Sequence, residues 1–224
     1  MIYVVSDIHG HYTKLENLLN RINFSKEDSL YILGDIIDRG PDIVKTIRKV
    51  MDTPNIHMIL GNHEDMFLRY FESKSILDQS LWYQNGGDAT DSEFEKLSKE
   101  ENVKIVNYFK SLPVEYEIEV DNQKFLLVHG NYVSESNKKY FTDSEYRLEV
   151  VWNRVKSWEV GPENKIVLFG HTPTYKYYGK EEPMRIYRKG NMIGLDCGLA
   201  AISSYPDICR FGCLCLNTME EYYV

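Results

Sequence analysis

Residues 2–10 read Ile2-Tyr3-Val4-Val5-Ser6-Asp7-Ile8-His9-Gly10. A short run of β-branched and aromatic side chains gives way at once to an aspartate, a histidine and a glycine. The same transition recurs. Residues 30–33 run into Gly34-Asp35-Ile36-Ile37-Asp38-Arg39-Gly40, and residues 56–60 run into Gly61-Asn62-His63-Glu64. Between these runs the apolar period is helical: Leu15, Leu18, Leu19 and Ile22 within residues 12–22, then Ile43, Val44, Ile47 and Val50, then residues 64–71. Strand and helix in alternation predict an α/β chain with a largely parallel sheet and right-handed crossovers.

From residue 73 to about 112 the chain is polar and rich in lysine and glutamate, with Phe94, Leu97, Val103, Val106 and Phe109 in a helical pattern. We expect a helical excursion there, inside a single domain spanning residues 1–224. Beyond it the period drops to two. Residues 114–120 and 124–128 flank Asp121-Asn122, a hairpin signal. Further strands are expected at 166–169, 185–187, 192–195 and 211–216. Two sheets packed face to face with helices outside accommodate this order.

The 224 residues carry 26 basic and 34 acidic side chains, a formal charge of −8, and are enough to bury a sizeable core. Such acidity speaks against nonspecific binding to nucleic acid or to a membrane surface, because both present phosphates that need a cationic face. Phosphate esters stay open as substrates if bound metal ions reverse the local sign. No apolar run approaches the ~20 residues that span a bilayer. The N-terminus opens as a strand, without the basic and apolar regions of a signal peptide. A soluble, cytoplasmic protein is expected, monomeric by default. Cys197, Cys209, Cys213 and Cys215 need no disulfide framework in a chain of this size. The last three lack the Cys-x-x-Cys spacing of a zinc site, sit in a stretch that reads as strand, and are assigned to packing.

In open α/β sheets, ligand sites gather beyond the carboxyl ends of strands. Here those ends are polar throughout: the hairpin closes on Val128-His129-Gly130, and residues 166–169 close on Gly170-His171-Thr172. Four of the six histidines (His9, His63, His129 and His171) lie at strand ends close to glycine, which turns sharply and leaves room for an ion. One buried histidine is ordinarily a core residue. Four of them, with Asp7, Asp35 and Asn62 at the same edge, point to a metal site. Mixed imidazole and carboxylate donors suit Mn, Fe or Zn better than calcium. Asp7 and His9 face one side if strand geometry persists. Five or more donors exceed the needs of one tetrahedral ion, so two ions ~3.5–4 Å apart sharing a carboxylate fit better.

In this order, Asp-x-His-Gly, Gly-Asp-x-x-Asp-Arg-Gly, Gly-Asn-His-Glu, His-Gly and Gly-His-Thr resemble the calcineurin-like metallophosphoesterases of the PPP (phosphoprotein phosphatase) family, over residues 6–198. Val151-Trp152-Asn153-Arg154, Asn85-Gly86-Gly87 and Asp196-Cys197-Gly198 are similar in particular to the small phage and bacterial enzymes of the bacteriophage-lambda type. The resemblance implies a four-layer αββα fold, a two-sheet sandwich flanked by helices. It implies two divalent ions, Mn²⁺ first and Fe or Zn as alternatives. Asp7, His9 and Asp35 would hold one ion; Asp35 would bridge to the second, completed by Asn62, His129 and His171. A hydroxide bridging the ions would attack phosphorus directly. His63, oriented by Asp38, would be the general acid, and Arg39 and Arg154 would grip the phosphate oxygens.

The chain departs from the family in three places: no arginine precedes Gly61, Asn131 follows Gly130 where a second glycine is usual, and Cys197 stands where threonine is common. These weaken assignment to the eukaryotic branch and remove no ligand. The expected activity is phosphomonoester hydrolysis on phosphoserine and phosphothreonine in proteins, with phosphotyrosine as a further substrate. A dinucleoside polyphosphate hydrolase is the enzymatic alternative: it shares Gly40-Pro41, whereas Asp38 leans toward monoesters. A non-catalytic metal-binding scaffold is the other alternative, and the full ligand set argues against it. His11 reads as a loop residue, His57 as structural, and Glu64 as a cap of the helix that follows it.

Overall fold

The computed structural model describes residues 1–179 and 183–224. Its first half contains β1 (Ile2–Val5), α1 (Tyr12–Arg21), β2 (Ser29–Ile32), α2 (Ile43–Asp52), β3 (Ile56–Met58) and α3 (Asn62–Ser73). Three helices follow, α4 (Ile76–Gln84), α5 (Asp88–Phe94) and α6 (Lys99–Ser111). The second half contains β4 (Glu115–Val120), β5 (Gln123–Val128), α7 (Glu135–Lys138), α8 (Asp143–Trp152), β6 (Ile166–Phe169), α9 (Tyr175–Tyr178), β7 (Tyr187–Lys189) and β8 (Met192–Gly194). A 3₁₀ turn at Leu199–Ala201 leads to β9 (Gly212–Cys215) and β10 (Glu221–Tyr223).

The strands form two five-stranded sheets, ordered β10-β9-β1-β2-β3 and β4-β5-β6-β8-β7. In the first, β1, β2 and β3 run parallel as the alternation predicts, but β9 and β10 join antiparallel, so the sheet is mixed. The second has a parallel centre with antiparallel β4 and β7 at its edges. The Asp121-Asn122 turn of the β4–β5 hairpin has φ of 51° and 66°. Positive φ at both positions is the type I′ geometry that matches strand twist. Three expectations shift. The strand expected at 185–187 forms at Tyr187–Lys189, β10 was not anticipated, and Cys209 lies outside β9.

The period of two explains the layers, because successive side chains leave a strand on opposite faces. Tyr3, Val5, Leu30, Ile32, Cys213 and Cys215 face a core shared with the helices. Val4, Leu33, Leu214, Phe125, Leu127, Leu168 and Ile193 fill the space between the sheets. Leu126, Val128, Val167, Phe169 and Met192 face the far side, where Val155, Tyr177 and Tyr178 cover them. Cys197 and Cys209 belong to the inter-sheet core, on the opposite face from Cys213 and Cys215, and all four thiols are buried. Packing accounts for them.

The helices pack through Phe67, whose ring lies 5.0 Å from Phe94, 5.5 Å from Trp82 and 5.7 Å from both Phe71 and Phe109. This ring ties α3 to α4, α5 and α6. Among the described residues no helix is long and apolar enough to cross a membrane. Phe67→Ala should lower stability by about 3–5 kcal/mol, from lost transfer energy plus the cavity left behind. Urea unfolding followed by far-UV circular dichroism measures this; a loss below about 1 kcal/mol would mean the aromatic junction is not what holds these helices together.

Candidate metal centre

Beyond β1 the chain stops being a strand. Asp7 and His9 have φ of 52° and 46°, in the left-handed region, so the expectation that strand geometry would carry both to one side is corrected. Their backbone N–H groups, with that of Gly10, donate instead to the carbonyls of Gly34 (3.3 Å), Asp35 (2.9 Å) and Ile36 (2.8 Å). The loops after β1 and β2 thus run as a paired ribbon past the end of the sheet. Among the described residues eleven non-glycine positions have positive φ, and six of them (Asp7, His9, Asp35, Asp38, Arg39 and His171) lie at this edge. Such conformations persist only where the surroundings over-determine them, and they cluster at functional sites.

Glu64 supplies much of that constraint. Its fully buried carboxylate accepts from the backbone N–H groups of Asp35 (2.9 Å), Ile36 (2.9 Å) and Gly61 (3.1 Å). It caps α3 as expected, and it also binds the loop that carries Asp35 and Asp38. From the second sheet, His129 reaches across and donates Nδ1–H to the Leu33 carbonyl at 2.6 Å. Gly170 passes so close to the first loop that an added Cβ would lie 1.8 Å from Ser6 Oγ and 2.4 Å from Asp7 Oδ2. Only glycine fits there.

The imidazoles have assignable tautomers. A carbonyl can only accept and a guanidinium can only donate. His9 donates Nδ1–H to the Ile37 carbonyl (2.9 Å) and accepts from Arg39 Nη1 at Nε2 (3.2 Å). His63 places Nδ1 2.5 Å from Asp38 Oδ2 and accepts from Arg39 Nη2 at Nε2 (2.9 Å). Both Nε2 lone pairs therefore face the cleft. Asp38 is fully buried; its carboxylate accepts from Trp82 Nε1 (3.1 and 3.0 Å) and from Thr90 Oγ1 (2.5 Å).

Ligand atoms converge in two groups around one shared carboxylate. Those of His9, Asp35 and His63 lie within 4.8 Å of one another, and so do those of Asp35, His129 and His171. Asn62 joins the second group, with Oδ1 2.9 Å from His129 Nε2. Asp7 belongs to neither; its carboxylate accepts from the His171 N–H (3.0 Å) and from the Ser6 hydroxyl. With Nδ1–H used on Leu33, His129 turns Nε2 toward Asp35 Oδ2 (3.4 Å) and Asn62 Oδ1; a proton on Nε2 satisfies those oxygens, and its loss leaves three acceptor atoms converging on one point. That is the donor chemistry of a cation site, and the residues fit a pair of divalent ions sharing Asp35.

The electrostatics agree. Burial disfavours the charged form of His129, yet the Asp35 carboxylate overrides it and raises the imidazole to about 9. Burial and the neighbouring His129 push His171 down to about 2. Burial, with His63 and Arg39 beside it, likewise holds His9 well below the ordinary imidazole range. Burial and Asp196 raise Asp7 well above the carboxylate range, whereas for Asp35 the three imidazoles outweigh burial and hold it well below. Glu64 and Asp196, both buried, rise to about 7 and about 6. Burial and mutual repulsion thus work against the ionised forms of Asp7, Glu64 and Asp196, and a bound cation would favour those forms.

The centre opens into a cavity of about 640 Å³ with Arg39 and Arg154 on its wall. Arg154 is anchored by Nη1 to the His171 carbonyl (2.8 Å) and to Thr172 Oγ1 (2.9 Å). All ten expected site residues are thus brought to this one edge. His11 lies outside both donor groups, at the start of α1. His57 sits on β3 against Tyr31 (ring centroids 4.9 Å apart). Sequence reasoning missed the loop-binding role of Glu64 and the clamp of Trp82 and Thr90 on Asp38, and it gave no role to Asp196, which lines the cavity. The one signal for the clamp was Asn85-Gly86-Gly87, which lies between Trp82 and Thr90.

The calcineurin-like phosphoesterase family profile matches residues 1–196. The chain is 38% identical over 157 residues to serine/threonine-protein phosphatase 2 of Salmonella typhimurium, covering 68% of this chain and 67% of that one. It is 30% identical over 135 residues to the symmetrical bis(5'-nucleosyl)-tetraphosphatase of Wigglesworthia glossinidia brevipalpis, covering 58% of this chain and 44% of the relative. A crystal structure named as a candidate diadenosine tetraphosphatase superposes with a TM-score of 0.67 at 19% identity, covering 100% of this chain and 92% of that one, which is a likeness of fold.

Ion binding should be visible as thermal stabilisation. At a Mn²⁺ concentration about 100 times its Kd the melting temperature should rise by about 5–10 °C, reversed by EDTA. The rise should largely vanish in Asp35→Asn, which removes the shared carboxylate charge. No rise in the wild-type protein with Mn²⁺, Fe²⁺ or Zn²⁺ would sink the metal reading.

Proposed function

The chain belongs to the calcineurin-like phosphoesterase family, and we propose that within it the protein is a metal-dependent phosphomonoesterase acting on phosphoserine and phosphothreonine in proteins. It is a phosphoesterase of a family that uses divalent metal ions. The observation that carries the finer reading is the His63–Asp38 pair at 2.5 Å, with His63 Nε2 facing the cavity beside the shared carboxylate Asp35. When the P–O bond of an aliphatic monoester breaks, the departing alkoxide is a poor leaving group and needs a proton; a fixed imidazole backed by a buried carboxylate is suited to deliver it.

In this reading Asp7, His9 and Asp35 hold one ion and Asp35, Asn62, His129 and His171 the other, with Mn²⁺ first and Fe or Zn accepted by the same donors. Bound there, the ions supply Lewis-acid charge and a lowered pKa for water. Arg39 and Arg154 bind the outer phosphoryl oxygens, where a planar fork meets two oxygens at once. Arg39 now rests on the Nε2 atoms of His9 and His63; drawn to a phosphate dianion, it frees His63 Nε2 to carry the proton for the leaving oxygen. Asp38 holds the ring with Nε2 inward and balances the charge of the doubly protonated form. No phosphoenzyme is required, because no nucleophilic side chain is needed for attack.

A dinucleoside polyphosphate hydrolase is the second reading, favoured by the tetraphosphatase relative and by the shared Gly40-Pro41. The cavity lining supports the first. Away from the centre it is built of Met184, Ala200, Ala201, Tyr205 and Ile208, with Lys176 the one lysine or arginine beyond Arg39 and Arg154 among the described lining residues. That is a poor bed for a polyphosphate chain.

With Mn²⁺ and EDTA controls, turnover is expected on a phosphoserine peptide and little or none on diadenosine tetraphosphate, with nucleotide products resolved chromatographically; the reverse result overturns the substrate assignment. His63→Asn should keep the metal-induced rise in melting temperature yet lose about 10²–10⁴-fold in kcat on the peptide, and less on an activated aryl phosphate. A variant that turns over the peptide at the wild-type rate would falsify the acid assignment.

A further inference from the structure

We propose that the segment formed by α4, the Asn85-Gly86-Gly87 turn and α5 is the positioning element of this site, with Trp82 and Thr90 setting the proton donor through Asp38. The proposal rests on the reading of His63 as general acid. Trp82 is fully buried and spends its single N–H on both oxygens of Asp38, at 3.1 and 3.0 Å. Thr90, also fully buried, accepts the Asp38 backbone N–H at 3.0 Å, so its own hydroxyl proton is directed to Asp38 Oδ1 at 2.5 Å. Oδ2 is left to face His63 Nδ1. The carboxylate cannot rotate without losing a bond at each oxygen. It is therefore held as an acceptor, and the imidazole is held with Nε2 toward the cavity.

The turn between the two helices serves Arg39. The Arg39 backbone N–H donates to the Gly86 carbonyl (3.1 Å) and its Nε donates to the Asn85 carbonyl (3.1 Å). Two terminal nitrogens then remain, and both point at the centre. Gly86 has a φ of +92°, and a Cβ there would lie 2.7 Å from Arg39 Cγ. Glycine at this position lets the backbone pass beneath the guanidinium arm. One segment outside both sheets thus fixes two functional side chains that sit two and three residues beyond Ile36 on the β2 loop.

A core tryptophan that merely satisfied its N–H would predict a loss of stability on substitution and nothing specific in the kinetics. Trp82→Phe keeps most of the ring and removes the donor; Thr90→Val keeps the shape and removes the hydroxyl; Thr90→Ser restores it. Each is compared with wild type for kcat and KM on a phosphoserine peptide and on p-nitrophenyl phosphate, whose leaving group needs little help from an acid. Trp82→Phe and Thr90→Val are expected to lose about 10–100-fold in kcat on the peptide, the scale seen when a partner that orients a functional group is removed. On the aryl ester the loss should be at least about fivefold smaller, KM should stay within about twofold, and Thr90→Ser should sit near wild type. Equal losses on both substrates, or no loss, overturn the proposal. His63→Asn run alongside separates the two failures: equal losses there overturn the acid reading and this proposal with it. A leaving-group-dependent loss there, with equal losses in the Trp82 and Thr90 variants, overturns this proposal alone.

Discussion

A carboxylate without water must be satisfied by the protein, and Glu64 meets that demand with the backbone of two loops at once. Its oxygens accept from Asp35, Ile36 and Gly61, so the chain leaving β2 and the chain entering α3 are bound to a single side chain. Asp35 in turn accepts from the His63 N–H at 3.0 Å. Asp35, His63 and the group of His129 and Asn62 therefore take their positions from one another. Left-handed φ values at Asp35, Asp38 and Arg39 are tolerable only because this network holds them.

The site is made mostly of groups that ordinary folding keeps apart. Asp7, Asp35, Asp38, Glu64 and Asp196 are all buried at one edge of a protein that already carries a formal charge of −8. Of the buried imidazoles only His129 is raised, and with the two arginines it offsets part of that charge; burial first, and neighbouring carboxylates after it, lift Asp7, Glu64 and Asp196 above the ordinary carboxylate range. Divalent ions would complete the balance. They would also turn a negative cleft into one that attracts a phosphate dianion, which resolves how an acidic chain handles an anionic substrate.

The division of labour follows from the layers. The parallel strands of the two sheets deliver the carboxylates and imidazoles, because their carboxyl ends meet at one edge and His129 spans from one sheet to the carbonyl of Leu33 in the other. The helices α4 and α5 deliver orientation, through Trp82, Thr90 and the carbonyls of Asn85 and Gly86. Contacts from the sheets and contacts from the helices meet on the single loop that carries Asp35, Asp38 and Arg39.

By itself the sequence determined the α/β class and the strand-end clusters, since period and residue chemistry are local properties of the chain; Asp38, Arg39 and Arg154 were singled out only by resemblance to a known family. It did not determine that β9 and β10 would pair antiparallel, because strand direction depends on where a loop returns and not on the pattern of one run. It misjudged how Asp7 and His9 converge, because Asp and His, though enriched in left-handed backbone, adopt it too seldom for their presence alone to announce it. Nor did it show Glu64 reaching Asp35 across 29 positions, or Trp82 reaching Asp38 across 44. Those contacts join segments that local pattern treats as independent. Only the tertiary structure decided them, because burial removes water as the competing partner and leaves each polar group to whatever the fold brings within reach.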